Sequence, residues 1–144
     1  MGCDIHIHVE RLVDGKWTYV TKPDCHPDTT NEWHVDDWYH GRCYTLFGLL
    51  AGVRAHQYEP FKEPRGVPND RSNEYQDVVD DWGHDGHTHS WYTLHELEDA
   101  DWYQDEDAEG NECAADGGFV EQTIPLLEAV GKPDEVRMLF FFDN

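Results

Sequence analysis

Two His-x-His pairs, each with an aspartate close by, are the residues of this 144-residue chain whose types and spacing could do chemistry. The first lies in Asp4-Ile5-His6-Ile7-His8 and the second in Asp85-Gly86-His87-Thr88-His89. Neutral imidazole and carboxylate together suit a divalent transition metal such as zinc or manganese. With one position left open, such an ion would lower the pKa of a bound water and direct it at a phosphoester or an amide. The expected ligands are Asp4, His6, His87 and His89, and Asp85, His89 or Glu10 would carry the proton. The chain has ten histidines, so a single pair arises easily by chance. The metal reading therefore requires the two pairs to meet in one pocket. The plainer use of the same side chains is to cap, hydrogen-bond or stack.

The elements that must position these groups follow from periodicity and turn chemistry. Cys3 to Glu10 alternates strictly, with Cys3, Ile5, Ile7 and Val9 on one strand face and Asp4, His6, His8 and Glu10 on the other. Asp14-Gly15 predicts a two-residue hairpin turn that sets Leu12 opposite Trp17, Glu10 opposite Tyr19 and His8 opposite Thr21. Trp17 and Tyr19 then edge the histidine face. Residues 22–41, with Pro23, Pro27, Asn31 and Gly41, predict an irregular loop anchored by Trp33, Trp38 and Tyr39 and holding His26, His34 and His40. Tyr44, Phe47, Leu50 and Ala51 recur at helical spacing within 42–53, and Arg54 follows the C-terminal end of that helix. Pro60, Pro64 and Pro68 fix a loop that carries Arg65. A helix over 72–82 stops at Gly83, and 84–91 reads as a bend in which Gly86 lets two imidazoles converge. Thr93 with Glu96 forms a capping box for a helix running from Leu94 into Trp102. The acidic stretch 99–116 reads as a surface excursion, and a last helix covers 124–130. Residues 136–142 are apolar on both faces and predict a central strand. The expected order β-β-α-α-α-α-β gives one α+β domain over 1–144, with an N-terminal β-hairpin and a C-terminal central strand in a mainly antiparallel sheet packed by about four helices.

Composition narrows the partners. A net charge of -21 excludes the clustered Lys and Arg that phosphate neutralisation needs, so no direct nucleic-acid binding is expected. The acidity fits a solvated surface, bound cations, or an acidic protein that occupies a basic host partner. No run approaches the roughly 18 apolar residues of a membrane span, and no secretory signal is visible, so the expected location is the cytoplasm. Cys3, Cys25, Cys43 and Cys113 lack Cys-x-x-Cys spacing and read as free thiols. No phosphate-binding loop, dinucleotide fingerprint or serine-hydrolase elbow occurs.

Gly2-Cys3-Asp4-Ile5-His6, Leu46-Phe47-Gly48-Leu49-Leu50-Ala51-Gly52-Val53-Arg54, Pro64-Arg65-Gly66-Val67-Pro68, Asp85-Gly86-His87-Thr88-His89-Ser90-Trp91 and the closing Phe142-Asp143-Asn144 stand in order along nearly the whole chain. Together they resemble a family of small, mostly uncharacterised proteins of tailed bacteriophages and prophages. The resemblance implies expression in the cytoplasm of an infected bacterium, where small phage proteins modify nucleotides or counter host defences. Three functions compete on this basis. One is a metal-dependent hydrolase acting on a phosphoester or nucleotide. The second is a non-catalytic nucleotide-sequestering protein, in which Trp17, Tyr19 and Trp91 stack on a base while Arg54 and Arg65 meet phosphate. The third is an acidic inhibitor of a host protein. A homo-oligomer is compatible with each.

Overall fold

A computed structural model describes residues 2–21, 38–39, 42–55, 58–102 and 118–143. Most of the expected loop at 22–41, with Trp33, His26, His34 and His40, lies outside the described residues, as do Cys25, Cys113 and most of the acidic stretch 99–116. The hairpin forms as its turn dictates: strand β1 (Asp4–Val13) and strand β2 (Lys16–Val20) pair with Glu10 opposite Tyr19 and Leu12 opposite Trp17. Asp14 and Gly15 both take positive φ, the backbone that a type I′ turn requires.

The rest of the order is helix α1 (Tyr44–Ala51), helix α2 (Asn73–Trp82), strand β3 (Gly86–Thr93), helix α3 (Leu94–Asp99), helix α4 (Ile124–Glu128) and strand β4 (Val136–Asp143). A five-residue π turn, Phe119–Thr123, leads into α4. The helix ends follow their local signals. Ser72 accepts the Tyr75 N–H as the cap of α2, and Gly83 closes that helix at φ 53. Thr93 and Glu96 form the full capping box of α3, which ends at Asp99 rather than at Trp102. The bend expected at 84–91 is corrected. Only Gly83–Asp85 is a tight turn, and Gly86–Thr93 is a strand. Three of its first four residues are polar, so the alternation that marks a half-buried strand was not visible there.

The four strands form one antiparallel sheet in the order β2-β1-β4-β3. Strand β4 is central, as its doubly apolar pattern requires, and six of its eight residues from Val136 on are buried hydrophobics. Cys3, Ile7, Val9, Met138, Phe140, Phe142 and Tyr92 face the larger core, which α1, α3 and α4 close with Leu46, Phe47, Leu50, Leu97 and Leu127. Trp38 and Tyr39 are buried in that core as the expected anchors. Gly48 lets α1 lie against the following segment, since a Cβ there would meet the Ala55 carbonyl oxygen at 2.5 Å. The opposite face is not open to water. Tyr75, Leu139 and Phe141 are buried there, with Val78, Val79 and Trp82 of α2 and Trp91 of β3 packed round them. Among the described residues no helix is long and apolar enough to cross a membrane, and Cys3 is a free thiol.

Charge sits inside this second layer. Arg137 is 2% exposed and Glu10 is wholly buried. Glu10 Oε1 accepts from Arg137 Nε at 2.7 Å, and its Oε2 accepts the Ser72 N–H at 2.7 Å. The pair thereby ties β1 and β4 to the cap of α2. Removing one partner of such a pair strands a buried charge, which costs about 3–5 kcal/mol. Arg137→Ala should lower the unfolding free energy by that amount in urea titrations. A loss below about 1 kcal/mol would show that the pair does not brace the fold.

Candidate functional site

The sheet brings the two histidine pairs to the same end but not into one pocket. Asp4 and Gly86 both pair with Asp143, and His6 pairs with Phe141. Strand β4 therefore stands between β1 and β3, holding His6 and His89 two strand spacings apart, roughly 10 Å. The Phe141 ring fills that gap: His6 stacks on it at 5.2 Å between centroids and His89 at 5.1 Å. Each expected ligand has its own local environment. Asp4 accepts from Arg42 Nε at 2.9 Å. His6 Nε2 lies 3.1 Å from Asp143 Oδ2 and its ring packs on Trp82 at 4.4 Å. His87 Nδ1 meets the neighbouring Thr88 hydroxyl at 2.8 Å. Among the described residues no three His, Cys, Asp or Glu side chains converge to hold a metal ion.

A bulge shapes the second pair. The register of β3 on β4 jumps between His87 and Ser90, and Thr88 takes φ 57 to admit the extra residue. The Nε2 atoms of both His87 and His89 are buried and meet no hydrogen-bond partner among the described residues. Burial, helped by the neighbouring His87, lowers the His89 pKa below its usual value. Of the three expected proton carriers, His89 stacks on Phe141, Asp85 lies exposed in the turn before β3, and Glu10 is consumed by the buried ion pair. His8 Nδ1 bonds the Tyr19 hydroxyl at 2.7 Å, and burial followed by the Glu74 and Glu10 charges raises the pKa of that phenol.

At the other end of the same face the strands open a cleft of about 580 Å³, walled by Trp17 of β2 and Trp91 of β3 and floored by Arg137. The loop before α2 supplies Arg65, Val67, Pro68, Asn69 and Asp70. Cleft and histidines lie four β1 residues apart, from Glu10 to His6, about 13 Å. Helix α2, ten residues or about 15 Å long, spans that distance from Ser72 to Trp82. The Arg137 guanidinium stands 4.2 Å from the Trp17 ring and 5.7 Å from the Trp91 ring, while that of Arg65 lies 4.4 Å from Trp91.

The charges of the cleft are internally matched. Arg65 donates to Glu96 Oε1 at 2.9 Å and Oε2 at 2.5 Å, and to the Trp91 carbonyl at 3.2 Å. Burial works to raise the Glu96 pKa, but Arg65 and the Thr93 N–H and hydroxyl overrule it and hold the group at about 2. Arg137 also donates to Asp70 at 2.8 Å, and that bond holds the Asp70 carboxyl below its usual range.

Trp17, Arg65 and Trp91, named from the sequence as ligand-binding, share this cleft; Tyr19 and Arg54 do not line it. Tyr19 serves His8, and Arg54 follows α1 in the opposite layer with its guanidinium 5.5 Å from the Tyr44 ring. Sequence reasoning missed Arg137, Asp70 and Asp143. Arg137 carried a usable signal, a lone cation inside an otherwise apolar strand, which demands a buried partner. Asp70 and Asp143 carried none, because only the sheet brings them to Arg137 and His6. Comparison with protein-family models, curated proteins and solved structures finds no match to this chain.

The depressed His89 pKa links stability to pH. The unfolded chain binds a proton near pH 6.5 while folded His89 stays neutral, so its contribution is intact above pH 6.5 and is lost as pH falls below it. The midpoint of thermal unfolding should fall between pH 7 and 5, and more steeply in the wild type than in His89→Gln. Identical slopes would remove His89 as the source.

Proposed function

We propose that this protein binds a small planar aromatic molecule of the nucleobase kind in the Trp17–Trp91 cleft and sequesters it without chemistry. One observation carries the reading: two indoles from separate strands face one cleft, each with a guanidinium already against its ring. Stacking on an indole is sequence-tolerant and worth about 1–3 kcal/mol per base. The cleft volume of about 580 Å³ lies within the ordinary range for small-ligand sites. The buried Glu10–Arg137 pair supports preorganisation, because it fixes the floor before any ligand arrives. The resemblance to small phage proteins supplies a setting in which capture of a host base or nucleoside would be useful.

Isothermal titration calorimetry with adenosine and guanosine tests this reading. Saturable binding is expected, with the ligand recovered unchanged by chromatography. Trp91→Ala should weaken that binding about 5- to 150-fold, the loss of one stacked ring. Heat-free titration with both nucleosides, or turnover of either, would overturn sequestration.

Metal-dependent hydrolysis is the second reading, favoured by the two buried imidazole nitrogens of His87 and His89 that lack partners. Chelator-stripped protein would then take up zinc stoichiometrically, and His87→Ala would abolish that uptake while leaving the circular dichroism spectrum unchanged. Zinc uptake that survives His87→Ala would rule out this pair as the site.

A further inference from the structure

We infer that the cleft selects an uncharged planar ring and turns phosphorylated ligands away, an inference that rests on the ring-binding reading above. The two guanidiniums at the cleft look at first like a phosphate site, and their bonding argues otherwise. Arg65 commits three of its five N–H donors to the two Glu96 oxygens and the Trp91 carbonyl. Arg137 spends its donors on Glu10 and Asp70. Two cations thus meet three carboxylates, those of Glu10, Asp70 and Glu96, for a local charge of -1 before a ligand enters. The adjoining depression, with Asp70 not counted twice, adds one positive charge and brings the two together only to neutrality, so no net positive charge awaits a phosphate. Lys16 and Arg71 line it together with Asp70 and Glu74, and Arg71 is held by Gln76 and the Pro68 carbonyl.

A phosphate at the cleft would compete with carboxylates already bonded to both guanidiniums, and two of these are firmly held. Glu96 is fixed by the Thr93 N–H at 3.0 Å as well as by Arg65, and Glu10 is wholly buried. The whole-chain charge of -21 adds a repulsive field around the mouth. A neutral ring meets none of these penalties. It needs only indole faces and hydrogen-bond partners, and the Asp70 carboxylate, two-thirds exposed at 66%, offers an acceptor to a ring N–H or an exocyclic amine. The paired arginines therefore act as positioning residues for Trp17 and Trp91, and charge matching sets specificity.

The test is a calorimetric series of adenosine, AMP and ATP without divalent cations, at 50 mM and 500 mM salt. Affinity should fall with each phosphate, ATP binding about tenfold or more weakly than adenosine at low salt, and the gap should narrow at high salt. Glu96→Gln keeps a side chain able to complete the capping box but frees the Arg65 charge, so the adenosine-to-ATP gap should close by about tenfold. Asp70→Asn, at an exposed position, should narrow it in the same direction. ATP binding as tightly as adenosine would overturn the inference while leaving ring binding intact. No binding by any of the three would overturn both. An unchanged gap in both variants would show that these carboxylates do not set the preference.

Discussion

Glu10 and Arg137 form an ion pair that water barely reaches, and the rest of the second layer hangs from it. A buried pair gains little net stability, because desolvating both charges offsets their attraction. Its effect here is positional. Arg137 occupies one Glu10 oxygen and the Ser72 N–H the other, so the first turn of α2 is pinned over β1. From that anchor the helix runs along the sheet until Trp82 lies on His6. The same guanidinium reaches outward to Asp70 and lies against Trp17. One charged group thereby sets the helix, the floor of the cleft and one of its walls.

Strand β4 imposes the complementary constraint. Its side chains alternate between two apolar layers, Phe140 and Phe142 toward one and Leu139 and Phe141 toward the other. A strand in that position must be central, since both of its faces need cover. Centrality separates β1 from β3, and Phe141 becomes the partition between two groups of imidazoles. The property that makes β4 the core of the sheet is thus the property that keeps the histidine pairs from sharing one ion. The bulge at Thr88 refines the outcome by turning His89 onto Phe141 while His87 stays level with Phe142.

Acidity and aromatic content have a common consequence at the cleft. In a chain of net charge -21 both guanidiniums at the cleft are bonded to carboxylates. Charge recognition is then spent on holding the protein together, leaving ring faces and a few fixed acceptors for a ligand. Under the proposed ring-binding reading such a site would rely on shape and stacking, with Arg65 tied to Glu96 and Arg137 to Asp70.

Much of the fold was legible because local chemistry decided it. Asp14-Gly15 fixed the hairpin and its register, Ser72 and Gly83 bounded α2, the Thr93–Glu96 box started α3, and the doubly apolar 136–142 segment announced the central strand. Strand β3 was hidden because its leading residues are polar and bulged, so no period of two survives to be read. The site was less legible than the fold. Trp17, Trp91 and Arg65 were visible as residue types, but their meeting depends on pairings such as Glu10 with Arg137, 127 positions apart. Sequence alone determined which groups this protein owns and which local elements carry them. The tertiary structure decided which groups meet, because strand order and the buried Glu10–Arg137 salt bridge are set by packing both faces of β4, a condition no local stretch of chain contains.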